Sequence, residues 1–168
     1  MMMTNILRSF VGMIIVAKKI TDSATSCSGW HINIATRHCY KRFCDRIDWD
    51  EAMNVCKSLG GYLVTIENDD ENIFLGAIAR TDGTYSYNWI GARRDPIENH
   101  KFVWHDGKTK WEYAPWRRDG LQPDDYQGKE KCVEMDWGSA GSMPSWNDLP
   151  CWEKLEYICE REYCNVED

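Results

Sequence analysis

Two short segments carry side chains able to do chemistry together. Gln122-Pro123-Asp124, with Glu130 beyond it, and Trp146-Asn147-Asp148 supply amide and carboxylate oxygens in the C-terminal third of the sequence. Oxygen donors of this kind suit a hard cation such as calcium, whereas zinc and copper sites favour imidazole and thiolate. Asp124, Glu130 and Asp148 would repel one another if brought together without a cation between them. The set therefore predicts a calcium ion held by loops, with coordination positions left over to bind something else.

Other chemistries lack their signatures. The sequence contains no Gly-x-Ser-x-Gly, no His-Glu-x-x-His and no phosphate-binding glycine loop, so an enzyme is not expected. The net charge of −7, with no basic run, argues against nucleic acid or an anionic membrane as partner. Eight cysteines in 168 residues point to an oxidising compartment. Zinc would be the alternative use of those thiols. No Cys-x-x-Cys occurs, and His31, His38, His100 and His105 do not follow the cysteines at ligand spacing. Spacing alone leaves the disulfide pairing open.

The elements that must position the oxygen donors can be read in outline. Asp48 caps a helix with Glu51 three residues on. Trp49, Ala52, Cys56 and Leu59 fall on or near one face, and Gly60-Gly61 ends it. Asn68 and Glu71 repeat the device, ahead of an apolar stripe of Ile73, Phe74, Ala77 and Ile78. Strands are predicted at Tyr40-Lys41-Arg42-Phe43, Tyr62 to Ile66, Asn88-Trp89-Ile90-Gly91, Lys101-Phe102-Val103-Trp104, Cys132-Val133-Glu134-Met135 and Tyr157-Ile158-Cys159, with Asp82-Gly83 as a turn. Residues 111–143 lack helical period and read as a long functional loop.

The chain divides into two parts. Residues 1–26 read as a signal peptide or N-terminal extension: Arg8 precedes the apolar run 10–17, although Lys18-Lys19 follow it directly. That run is too short to span a bilayer, which takes about 20 apolar residues. Residues 27–168 read as one domain with two helices, several short strands and a long loop region. The length suits such a domain and can bury a core.

From about Cys27 to Cys164 the chain resembles the C-type lectin-like domain. The residues that carry the resemblance are Trp89-Ile90-Gly91, Gln122-Pro123-Asp124, Glu130-Lys131-Cys132, Trp146-Asn147-Asp148 and Tyr157-Ile158-Cys159, in that order. It implies the α+β fold of that family, two helices with small antiparallel sheets and a long calcium-binding loop region, disulfide-stapled, as a carbohydrate-recognition domain over 27–168. It also implies that Gln122, Asp124, Glu130, Asn147 and Asp148 are the ligands of the principal calcium, with a cis bond before Pro123. The order of amide and acid in Gln-Pro-Asp accompanies galactose-type sugars in the family, whereas Glu-Pro-Asn accompanies mannose-type sugars.

The function so implied is that of a secreted, calcium-dependent lectin for terminal galactose or N-acetylgalactosamine on glycoproteins or glycolipids. Its sugar contacts would come from Gln122, Asp124, Tyr126, Glu130 and Asn147. Tyr126 stands where galactose-binding relatives often place tryptophan, but the glycine-rich insert some of them use to hold that ring is missing. Trp111 and Trp116 are alternative stacking rings, with a place in the core as the competing role for each; Trp146 reads as structural. A single shallow site would bind at about 1 mM, so an oligomer would supply the avidity. The alternative is a secreted module of this fold that binds a protein partner, as venom and receptor relatives do, with calcium structural.

The resemblance places auxiliary-calcium positions near Asp95, Glu98 and Asp125. Arg93 and Arg94 beside those acids, and Lys131 where relatives with that ion often have an acid, favour ion pairs as the other reading. It also implies the disulfides Cys56–Cys159 and Cys132–Cys151, with Cys27–Cys39 as the bridge of the family's longer form. Cys44 and Cys164 remain as a fourth pair, Cys44–Cys164, or as bridges to another chain.

Overall fold

The computed structural model describes residues 27–81, 84–136 and 143–164. The leader reading of 1–26 and the Asp82-Gly83 turn lie outside the described residues. In chain order the elements are β1 (His31–Ile32), β2 (Cys39–Ile47), α1 (Trp49–Ser58), β3 (Tyr62–Leu63), α2 (Asp69–Ile78), β4 (Arg80–Thr81), β5 (Thr84–Tyr85), β6 (Asn88–Arg94), β7 (Phe102–Trp104), β8 (Cys132–Asp136), β9 (Ser145–Leu149) and β10 (Leu155–Arg161).

Both helices begin where their caps require. Asp48 Oδ1 accepts the Glu51 N–H at 2.9 Å and the Glu51 carboxylate reaches back to the Asp48 N–H, a full capping box. Helix α1 buries Trp49, Ala52, Met53 and Cys56 and ends before Gly60, whose φ of 80° lies in the left-handed region that glycine tolerates. At α2, Asn68 accepts the Glu71 N–H, but Glu71 turns its own carboxylate to the Glu67 N–H instead of closing a box. The predicted stripe is also displaced. Ile73 is exposed, and the buried face runs through Glu71, Asn72, Leu75 and Gly76. Polar partners permit this: Tyr40 donates to Glu71, while Asn72 bridges the Pro144 carbonyl and the Trp146 indole N–H.

Among the described residues, eight strands join into one mixed sheet. Its order is β1-β2-β10-β6-β8-β9, with β3 added on β10 and β7 on β6; β4 and β5 form a separate pair. The link is a parallel contact of β10 with β6, Tyr157 opposite Trp89. Gly91 explains why Trp89 and Ile90 are followed by a residue without a side chain. A Cβ there would stand 2.4 Å from the Leu63 carbonyl oxygen, so β6 could not lie against β3. Trp89 and Trp49 anchor this region by donating their indole N–H groups to the Ile47 and Ile90 carbonyls.

Four disulfides staple the domain: Cys56–Cys159, Cys132–Cys151, Cys27–Cys44 and Cys39–Cys164. The last two correct the expected Cys27–Cys39 and Cys44–Cys164 pairs. Strand register decides the matter. The first hairpin pairs His31 with Tyr40 and Ile32 with Cys39, and extending that register brings residue 27 opposite residue 44. The Cys27 N–H bonds the Arg42 carbonyl, two residues from Cys44, which holds Cys27 beside that end of β2. Cys39 in turn faces Arg161 at the end of β10, three residues before Cys164. Cys44 lies five residues further along β2, about 17 Å away at the usual rise.

Candidate functional site

The oxygen donors are delivered by one loop and the edge of the sheet. Strand β9 pairs with β8 over its whole length, from Cys132 opposite Leu149 to Asp136 opposite Ser145. The Trp-Asn-Asp segment is therefore strand, not loop. Its other side is covered by residues 115–117: Trp146 N–H bonds the Pro115 carbonyl, and Arg117 N–H bonds the Trp146 carbonyl. Trp146 is fully buried among Trp104, Trp111, Tyr113 and Trp116, which fixes β9 in place. Trp111 and Trp116 are half-buried in the same cluster and so serve the core.

The loop over 121–128 is tightly bent. The Gln122–Pro123 bond is cis, and Leu121, Asp125 and Gln127 all have positive φ without being glycine. What holds these conformations is a set of bonds to the site's own acids. Asp148 accepts the Asp124 and Asp125 N–H groups, each at 3.1 Å, and Glu130 accepts the Tyr126 N–H at 3.0 Å. Asp125 closes the circuit by accepting the Glu130 N–H at 3.0 Å.

Asp124, Glu130 and Asp148 converge: one carboxylate oxygen from each lies within 4.8 Å of the others. Gln122 stands beside them, its side-chain oxygen accepting the Asp124 N–H at 3.1 Å. Asn147 precedes Asp148 on β9, directly opposite Glu134. Tyr126 projects from the loop with 63% of its surface exposed.

The electrostatics are those of crowded acids. The Glu130 carboxyl is pushed up to about 7, chiefly by burial. A hydrogen bond with Asp124 and the charges of Asp148 and Asp124 add to this, against the Tyr126 N–H. A group with that affinity for a proton in a hard-oxygen cluster has the chemistry to accept a divalent cation in the proton's place. Burial likewise pushes Glu134 well up, with Asp136 adding to it and Arg117 opposing.

Asp95, Glu98 and Asp125 do not assemble. Asp95 accepts the Ile97 and Glu98 N–H groups, and Glu98 pairs with Lys101 at 2.5 Å. Lys131 chelates both Asp125 oxygens, at 3.0 and 2.8 Å, so an ammonium already occupies that carboxylate.

Sequence reasoning missed the most consequential support, Arg94. Its side chain is 8% exposed, and it donates to Asp148 at 2.6 Å, to the Glu130 carbonyl at 2.9 Å and to the Asn99 carbonyl at 3.1 Å, over the face of Phe102. Arg93 instead reaches Asp50. Adjacent arginines beside acids hint at ion pairs, but their partners are set by which face of β6 each leaves.

Residues 45–161 match the family described as "Lectin C-type domain". Over 134 residues, 79% of this chain, the sequence is 35% identical to the versican core protein of Homo sapiens, of whose length the match spans 4%. Over 124 residues it is 32% identical to a protein named "Lectin" from Pleurodeles waltl, covering 72% of this chain and 68% of that one. Among solved structures it resembles the cow C-type carbohydrate-recognition domain of CD23 in the presence of a GlcNAc2Man3 oligosaccharide. The TM-score is 0.66 with 28% identity, covering 85% of this chain and 99% of the other.

Proposed function

This chain belongs to the Lectin C-type domain family, and from that premise we propose that it is an extracellular, calcium-dependent lectin for galactose-type glycans. The family is one of binding modules rather than enzymes. The observation that carries the proposal is the convergence of Asp124, Glu130 and Asp148 beside the cis Gln122–Pro123 bond.

The donor set fits calcium. Asp124, Glu130 and Asp148 supply negative oxygens, and Gln122 and Asn147 supply amide oxygens, the ligand types of a hard cation. When bound, calcium would supply a positive centre with coordination positions open to two adjacent sugar hydroxyls. This chain's own residues then choose the sugar. The Asp124 and Glu130 carboxylates accept from hydroxyl protons, while the Gln122 and Asn147 amides donate to hydroxyl oxygens. With amide first and acid second across Pro123, the arrangement suits the hydroxyl pair of galactose. The exposed Tyr126 ring can pack on the apolar face of that sugar. Glu98 and Asp125 are left as structural ion pairs with Lys101 and Lys131, and Asp95 as the acceptor that closes its own turn.

The disulfides favour an extracellular setting. Among the described residues no helix is long and apolar enough to cross a membrane. The test is a glycan array read with calcium and with excess chelator. Galactose-terminated glycans should light up in calcium and go dark in chelator; signals unchanged by chelation would refute the proposal.

A further inference from the structure

Beside the acid cluster, between the turn 117–122 and the start of β9, lies an open groove of about 1160 Å³. That is ample for a ligand larger than one sugar ring, since small-molecule sites run from about 300 to 1,000 Å³. Trp116, Arg118, Leu121, Gln122, Met143 and Pro144 line it. Gln122 belongs to both places, so the groove opens directly onto the site that holds the terminal sugar.

The walls have the two-sided chemistry a saccharide presents. Leu121, Met143, Pro144 and the half-buried Trp116 offer apolar surface to the C–H face of a ring. Arg118 and the Gln122 amide offer N–H donors to its hydroxyls. Arg118 is exposed, and among the described residues its guanidinium engages no carboxylate or other side chain. Leu121 is 85% exposed at a φ of 58°, a left-handed conformation disfavoured for a residue with a side chain. The turn is nonetheless fixed at its base, where Arg117 bonds β9 and the Gln122 N–H returns to the Arg117 carbonyl. Its side chains are held out over the groove rather than packed. Gly120, at a φ of 120°, lets the Gln122 amide nitrogen fold close: an added Cβ would stand 3.5 Å from it.

We propose that this groove is a second saccharide subsite, taking the sugar unit linked to the terminal one, so that the preferred ligand is a disaccharide or longer glycan. The inference rests on the sugar-binding reading above. Titrate the calcium-loaded protein with methyl β-galactoside and with lactose, which adds one unit on the linked side. Lactose should bind more tightly by about fivefold to tenfold, what one solvent-exposed hydrogen bond supplies net of its competition with water. In Arg118→Ala the advantage should fall severalfold, with calcium and methyl galactoside affinities unchanged. Leu121→Gly gives a second measurement free of folding risk, because glycine adopts this φ without cost; it should also lower lactose affinity. Equal affinity for the two sugars, or an advantage that survives both substitutions, would overturn the subsite while leaving the terminal-sugar reading standing. Binding of neither sugar would instead overturn the terminal-sugar reading, and the subsite with it.

Discussion

Arg94→Met puts the electrostatics of the site to a quantitative test. Asp148 is fully buried, and Arg94 is its charged partner at 2.6 Å. Removing one member of a buried pair typically costs about 3–5 kcal/mol, because the other charge is left uncompensated. Asp148 keeps the N–H bonds of Asp124 and Asp125, so the lower end applies, about 3 kcal/mol. For a domain of this size that is about 9 °C in Tm, at about 3 °C per kcal/mol. The deficit should be full in chelator and should shrink by half or more in millimolar calcium, where the ion supplies the missing positive charge. Thermal unfolding followed by circular dichroism in the two buffers measures both values. An equal deficit with and without calcium would mean that the ion does not share Asp148 with the arginine, and the proposed site would be wrong.

Other outcomes follow from the same geometry. Asp124→Ala should abolish calcium uptake by calorimetry with little loss of Tm in chelator, because Asp124 lies exposed at the loop surface. Calcium affinity should rise with pH and level off above about 7, since the ion-free Glu130 carboxyl holds its proton up to about that pH and must release it; a pH-independent affinity between 5.5 and 8 would contradict this. The His38 ring bonds the buried Glu160 carboxylate, which raises its affinity for a proton. That contribution to stability is complete below the unfolded value near 6.5 and is lost as pH rises through the raised folded value, so His38→Asn should flatten the decline in Tm from pH 6 to 9. Non-reducing peptide mapping should recover Cys27 linked to Cys44 and Cys39 linked to Cys164.

How much of this was legible in the sequence depended on whether the signal was local. Helix α1 announces itself because its capping box and its apolar face are both written within eleven residues. In α2 the cap was readable but the face was not: Asn72 and Glu71 look solvent-seeking until Trp146 and Tyr40, distant in sequence, supply their partners. Strand β9 was hidden for a related reason. Ser145, Asn147 and Asp148 have poor strand propensity, and only the ladder to β8 and the cover from residues 115–117 make them a strand.

At the site, the acids of the ion cluster were recognisable by type and order. Their support was not, because Arg94 acts across 54 residues and its partner depends on the strand face it leaves. The two outer disulfides failed in the same way. Which cysteine faces which is a matter of register, and register is set by pairing that composition does not reveal.

If a sugar's adjacent hydroxyls are held through a cation gripped by Asp124, Glu130 and Asp148, sugar binding must vanish with the cation. Calorimetric titration of methyl β-galactoside into the protein, once with saturating calcium and once with excess chelator, addresses it directly. A saturable heat is expected in calcium and none in chelator. The same binding curve in both would contradict it.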